Sequence, residues 1–375
     1  MKLLAYYLPQ FYPIQENNLW WEPGFTEWTN VTKARSLFKG HNQPRYPLDL
    51  GYYDLRVNET REHQALLAKQ YGIYGFCYYN YWFGDGKKIL DRVAREVLLS
   101  GKPDFPFCFC WANESWKGVW FGVESQKILI EQQYLGISDY QEYFYYLLDY
   151  FKDKRYVKVN GKPFFQVYKV FDIPDLADFV NTFRSLAIKE GFPGIYLVAG
   201  VSPTDPKWDP VVNGFDAVVG SEFSALRYWK RNPIRDNTNY LGRMLDKFKG
   251  RFFPEERDFN KRNKPVIIEY ENAINYLISK DYFGHPYFPV CIHDWDNSPR
   301  TTSRSLIFNN STPDLFKRHL RSGLEKVKHL QKEEQFVFLK SWNEWGEGNA
   351  LEPDKKWGHE YLKVIKEELR NFSKC

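Results

Sequence analysis

Eight short apolar or aromatic runs, most of them followed by an amphipathic segment of helical period, constrain this chain more than anything else in it. The runs cover residues 3–11, 71–80, 106–111, 163–168, 195–200, 217–223, 287–293 and 336–342. They are nearly continuous in apolar character, as strands buried on both faces of a parallel sheet must be. Helical patterns fill 59–70, 88–99, 139–151, 175–190, 313–331 and 359–370, and only the fifth and sixth strands lack a clear one after them. Ser138 with Gln141 reads as a capping box, Thr312-Pro313 as an N-cap followed by proline, and Gly72, Gly101 and Gly191 sit where helices should end. The alternation predicts an α/β fold, a single (β/α)8 TIM-type barrel over residues 1–375 with long loops at its C-terminal face. Loop excursions are expected at about 12–53 and 224–286, and the apolar run 265–270 inside the second competes as a ninth strand.

Composition excludes several classes of function. Lys+Arg 52 against Asp+Glu 47 leaves +5 without long basic runs, which gives no basis for a nucleic-acid or anionic-membrane partner. No apolar stretch approaches the roughly 18–20 residues of a membrane span. Met1 leads straight into a strand-like segment without a cleavage region, so a cytoplasmic, soluble protein is expected. The oligomeric state is left open. Four of the five cysteines, Cys77, Cys108, Cys110 and Cys291, lie in strand-like runs and read as small buried hydrophobes rather than as disulfides or metal ligands. Aromatic residues make up 19% of the chain, whereas Met numbers two. Stiff amphipathic rings of this abundance suit an oligo- or polysaccharide, whose pyranose faces stack on them while the hydroxyls seek side-chain partners.

In a barrel of this kind the site is assembled from the residues just after each strand. Gln10 follows the first run, with Trp20, Trp21 and Trp28 beyond it. Tyr79 and Asn80 end the second, and Trp111, Asn113, Glu114 and Trp116 the third, with Trp120 further on. Glu222 follows the sixth; His293, Asp294, Trp295 and Asp296 follow the seventh. Of these, Gln10, Trp28, Tyr79, Trp111, Asn113, Glu114, Trp116, Glu222 and the 293–296 group are candidate substrate-binding residues, together with Trp342, Asn343 and Trp345 after the eighth run. Glu114 and Glu222 are read either as hydroxyl acceptors or as partners of nearby cations.

The densest cluster is Ser341-Trp342-Asn343-Glu344-Trp345-Gly346-Glu347-Gly348. Two carboxylates three residues apart, between indoles and glycines, can converge on one cavity. Acetal hydrolysis needs a proton donor to the leaving oxygen and a second carboxylate acting as base or nucleophile, so Glu344 and Glu347 are the candidate catalytic residues. Most glutamates are solvated surface charges, and the strand-end setting is what argues otherwise here. Asp294-Trp295-Asp296 competes as a metal and nucleotide-sugar motif of glycosyltransferases, but loop anchoring or sugar contact explains it as well, and no metal or cofactor is expected. Gly84-Asp85-Gly86-Lys87-Lys88 lacks phosphate-loop spacing and reads as a turn before a helix. Neither GxSxG nor HExxH occurs.

The segments 5–21, 24–28 and 342–353, together with the strand-end clusters 111–116 and 295–300, resemble the WbsX-like family. That family is related to glycoside hydrolase family 99, the endo-α-mannosidases and endomannanases. The resemblance implies a retaining hydrolase acting by substrate assistance. Glu344 would take the proton of the sugar's 2-hydroxyl, the 2-oxygen would attack the anomeric carbon to give a 1,2-anhydro sugar, and Glu347 would protonate the leaving oxygen and later deprotonate water. Such attack requires a 2-oxygen trans-diaxial to the leaving group, as in α-mannosides and α-rhamnosides. Gly346 stands where family 99 carries histidine in its Glu-Trp-His-Glu-Gly segment. WbsX-like proteins are also labelled glycosyltransferases of cell-surface polysaccharide assembly, which is the alternative reading. A carbohydrate-binding barrel without catalysis is a third, and retention of both glutamates weighs against it.

Overall fold

The eight apolar runs become eight parallel strands of one closed sheet in the computed structural model, which describes residues 1–118, 128–201, 208–220, 264–279 and 285–372. The strands are β1 (Lys2–Tyr7), β2 (Gly75–Trp82), β3 (Phe107–Trp111), β4 (Lys162–Val167), β5 (Tyr196–Val201), β6 (Ala217–Gly220), β7 (Tyr287–Phe288, resuming as Val290–Ile292) and β8 (Phe336–Lys340). Each pairs with its neighbour in chain order, and β1 returns to β8 with Leu3 opposite Val337. The seam is at β7: its first half pairs with β6, Tyr287 opposite Val218, and its second with β8, Cys291 opposite Leu339. Pro289 stands between the halves, where its missing N–H costs no ladder bond, and its carbonyl accepts from Phe338 N at 2.9 Å.

Side-chain alternation divides the strands between two cores. Tyr6, Phe164, Phe288, Phe336 and Phe338 fill the barrel, with Tyr6 and Phe338 ring centres 5.1 Å apart and those of Phe164 and Phe336 5.2 Å apart. Each buried ring of this kind contributes about 1.5–3 kcal/mol over its exposed state. Residues of opposite parity face the helices. Helix Ile137–Lys152 buries Tyr140, Tyr143, Phe144, Leu147, Tyr150 and Phe151, a stripe of helical spacing, and sets Tyr143 against Trp111 and Tyr150 against Phe109. Helices Asn58–Gln70, Arg92–Ser100, Leu176–Lys189, Pro313–Val327 and Glu360–Phe372 complete the described outer layer.

The apolar run at 265–270 does form a strand, Val266–Glu269, but it pairs with Leu306–Asn309 outside the barrel and leaves the count at eight. It has its own small core with helix Tyr270–Ile278, in which Ile268, Ile274, Leu306 and Phe308 are buried. Between β5 and β6 the described residues hold turns at 210–214 and no helix.

Two local readings need correction. Helix Ile137–Lys152 starts one residue before Ser138, because Gly136 at φ 79° turns the chain and Tyr140 N bonds to Gly136 O, so no Ser138 cap forms. The 84–88 turn leads not into a helix but into a hairpin: Lys87 N bonds to Gly84 O, and Lys88–Ile89 pairs antiparallel with Trp82 and Tyr81. Cross-strand bonding to the end of β2 thus outcompetes helical pattern, and the helix begins at Arg92. Thr312, by contrast, caps its helix, accepting from Leu315 N at 3.3 Å. Among the described residues, no helix is long and apolar enough to cross a membrane.

Candidate active site

Inward parity at the strand ends, together with the loops after β1 and β8, produces an open cavity at the C-terminal mouth of the barrel, about 760 Å³ when the solvent at its opening is included. Its wall includes Gln10, Tyr79, Tyr81, Ala112, Glu114, Trp116, Tyr168, Arg300, Lys340, Glu344 and Glu347. Tyr79 and Tyr81 are two residues apart on β2, and Lys340 follows Phe338 inward on β8, so strand period alone aims them at the mouth.

Glu344 and Glu347 both face this cavity, and one guanidinium holds them. Arg300 Nη2 lies 2.8 Å from Glu344 Oε2, its Nη1 2.8 Å from Glu347 Oε1 and its Nε 2.8 Å from Glu27 Oε1. Burial opposes the charge on Arg300, but the three carboxylates outweigh it and raise its pKa. Lys340 Nζ stands 3.7 Å from Glu347 Oε2 and over the Trp295 ring. Burial, reinforced by the neighbouring Glu347 charge and only partly offset by Arg300 and Lys340, pushes the Glu344 carboxyl up to about 7. A group of that strength is half ionised near neutrality, the condition that best serves a general base.

The loop carrying the pair is tied down from several sides. Glu344 N donates to Ser341 Oγ at 2.9 Å, and Ser341 N to Asn349 O at 2.9 Å. Asp296 N donates to Glu347 O at 2.7 Å, bringing the loop after β7 against that after β8. Gly348, at φ 66°, permits this approach: a Cβ there would lie 2.8 Å from that of Asp296. Beneath the loop, Glu352 accepts from Trp345 Nε1, Gln64 Nε2 and Tyr53 OH, and burial pushes its carboxyl up to about 7 against the pull of those donors.

Of the residues singled out by sequence, Gln10, Tyr79, Glu114, Trp116, Glu344 and Glu347 meet in the cavity wall. Glu114 also pairs with Lys169 at 3.4 Å, and burial raises its pKa despite that ammonium. The other described candidates stand behind the wall. Trp111 points outward onto Tyr143 and Phe179 and donates to Trp82 O, since its parity is opposite to that of Ala112. Trp342 and Trp345 are buried beneath the loop that carries Glu344 and Glu347 rather than flanking the cavity, and Trp28 packs on Trp345 while donating to Tyr53 O. Asn113 bridges Tyr134 and the backbone of Lys169, and Asn343 bridges the backbone of Leu8. His293 Nε2 donates to Ala350 O at 3.0 Å and its ring packs on Tyr361, with burial pushing its pKa down to about 4. Glu222 and Trp120 lie outside the described residues.

The two aspartates of the 294–296 segment are consumed by protein partners. Asp294 takes Arg45 at 2.9 Å, Ser311 Oγ and Trp295 N; Asp296 takes His41, Gln43 Nε2 and Ser298 N. Burial works against the Asp296 charge, yet those donors and Arg45 prevail and lower its pKa. These contacts make the segment an anchor for the 41–45 loop. Among the described residues no cluster of His, Cys, Asp and Glu has the makings of a metal site, and Cys77, Cys108, Cys110 and Cys291 are buried and form no disulfide.

Arg300, Lys340, Tyr81 and Tyr168 are wall residues that sequence reasoning did not single out. Lys340 had a legible signal, a cation at the inward position of an apolar strand, as did Tyr81 two residues after Tyr79. Arg300 ends the 295–300 cluster that carries part of the family resemblance, but no strand period aims it at the cavity, because it enters from a short helix.

Fold and site together define a TIM-type barrel protein with a carboxylate-paired cleft at the C-terminal ends of its strands. The family model described as glycosyltransferase WbsX matches residues 3–365, and the chain belongs to that family. It is 32% identical over 372 residues to the uncharacterized protein WxcX of two strains of Xanthomonas campestris pv. campestris. The match covers 98% of this chain and 49% of WxcX, so the chain spans about half the length of these curated relatives. Among solved structures, the GH99 endo-alpha-mannosidase from Bacteroides thetaiotaomicron superposes with a TM-score of 0.57 at 13% identity, covering 99% of this chain and 97% of that one. A glycoside hydrolase-like protein superposes equally well, at 0.57 and 14% identity, covering 98% and 93%. At such identities the likeness establishes the shared barrel fold.

Proposed function

We propose that the protein is a retaining glycoside hydrolase acting on an α-linked sugar with an axial 2-hydroxyl, of α-mannoside or α-rhamnoside type, within an oligo- or polysaccharide. The observation that carries this reading is that Glu344 and Glu347 face one cavity and share the Arg300 guanidinium. Glu344, ionised above about pH 7, removes the 2-hydroxyl proton as the 2-oxygen displaces the glycosidic oxygen from the anomeric carbon. Glu347 gives its proton to that leaving oxygen; among the described residues its Oε2 makes no hydrogen bond, Lys340 Nζ standing 3.7 Å away. Water, deprotonated by Glu347, then opens the 1,2-anhydro ring, whose oxygen recovers the proton held by Glu344. Gln10 Nε2, buried in the cavity wall without an acceptor among the described residues, suits a sugar hydroxyl. The family's description favours glycosyl transfer as the second reading, and the engagement of Asp294 and Asp296 by Arg45, His41 and Gln43 weighs against the nucleotide-sugar form of it.

The test is incubation with a panel of α-mannosidic and α-rhamnosidic polysaccharides, with and without nucleotide sugars, with products followed by NMR. Cleavage without nucleotide sugar, an α-anomer as first product and inertness of a 2-deoxy analogue are expected. An initial β-anomer, or efficient cleavage of the 2-deoxy analogue, excludes attack by the 2-oxygen. Product formation only with a nucleotide sugar establishes the transferase.

A further inference from the structure

Glu27 and Gly346 compete for the same space. A Cβ placed on Gly346 would lie 1.6 Å from Glu27 Oε1 and 3.0 Å from Arg300 Nε, so a carboxylate from the loop after β1 fills the volume of a side chain at 346. Glu27 is fully buried at the start of helix Glu27–Lys33, and its N–H is held by Gln10 O at 3.0 Å. Its Oε1 meets Arg300 Nε at 2.8 Å, while its Oε2 makes no hydrogen bond among the described residues. Burying a carboxylate so incompletely satisfied is a poor way to stabilise a fold. Such departures concentrate at functional sites.

The guanidinium is a rigid planar fork, so holding Nε sets where Nη1 and Nη2 point. Those two nitrogens contact Glu347 and Glu344, each at 2.8 Å. We infer that Glu27 and Arg300 are positioning residues for the Glu344–Glu347 pair, and that the missing side chain at Gly346 is what admits Glu27 to that task. The inference rests on the catalytic reading of the pair, but its central measurement needs no substrate.

That measurement is the titration of Glu344 by NMR in protein carrying ¹³C at the glutamate carboxyl, the signal being assigned through Glu344→Gln. Arg300 opposes protonation of Glu344, so Arg300→Met is expected to raise the midpoint by about one pH unit or more. Arg300→Lys restores a cation and should return the midpoint toward its original position. Lysine offers no three-pronged geometry, so kcat should stay down by about tenfold or more with KM little changed. Gly346→Ala retains every charge while displacing Glu27, and should lower kcat in the same way. An unmoved midpoint in Arg300→Met, or full turnover in both Arg300→Lys and Gly346→Ala, overturns the inference. Should Arg300→Met not fold, the remaining two variants decide it. A shifted midpoint in a protein that cleaves no glycoside leaves the Arg300 clamp standing and removes the hydrolase reading instead.

Discussion

The side-chain amide of Asn343 makes a two-point bond with the backbone of Leu8: Oδ1 accepts from Leu8 N at 2.7 Å and Nδ2 donates to Leu8 O at 3.0 Å. It joins the exits of β8 and β1 immediately before Glu344. Asn343→Ala strands both groups of a buried residue, each at about 1–3 kcal/mol, so a loss of roughly 2–6 kcal/mol in denaturant unfolding is expected. A change below about 0.5 kcal/mol would show that the loop is held by its other ties.

Glu344→Gln and Glu347→Gln should each lower turnover of a natural substrate by at least about 10²–10⁴-fold while preserving the fold. A leaving group of low pKa needs no protonation, so on an activated aryl glycoside Glu347→Gln should retain more activity than Glu344→Gln. Equal losses on that substrate would abolish the distinction between base and acid drawn here.

The Glu344 carboxyl, pushed up to about 7, predicts the acid limb of the pH profile. The base is the ionised form, so kcat/KM should fall about tenfold per unit as pH drops below about 7. Lys340 opposes protonation of Glu344, and its removal in Lys340→Met should move the limb to higher pH. A profile flat from pH 5 to 8 would assign the limiting proton transfer elsewhere.

Because Asp294 and Asp296 are occupied by Arg45, His41, Gln43, Ser298 and Ser311, activity should survive EDTA, and UDP or GDP should not raise the melting temperature. Loss of activity in EDTA together with stabilisation by either nucleotide would favour the transferase. Asp296→Asn should instead act through stability, by weakening the hold on His41 and Arg45.

The barrel was legible because its determinants are local. Unbroken apolar runs of four to eight residues specify strands buried on both faces, and a stripe such as Tyr140, Tyr143, Phe144 and Leu147 specifies the helix that covers them. The position of Glu344 and Glu347 was legible for the same reason, since a strand-end motif inherits its place from the strand. Which indoles would face the cavity was not. Trp111 and Trp342 look like sugar platforms by composition, yet strand parity turns the first outward and loop packing buries the second.

By itself, then, the chain's order of residues determined the number and sequence of strands, the helices between most of them and the loop bearing the paired carboxylates. The tertiary fold decided what surrounds that pair. Arg300 and Glu27 reach it from a short helix after β7 and from the excursion after β1, and no local period predicts their meeting. Closure of the barrel brings β1 beside β8, and only then do Glu27, the vacancy at Gly346 and the Arg300 guanidinium fall within a few ångströms of one another. Long-range packing at the β1–β8 junction sets the charge balance that raises Glu344, because burial and the interactions of one ionised group with its neighbours depend on distances in space and not along the chain.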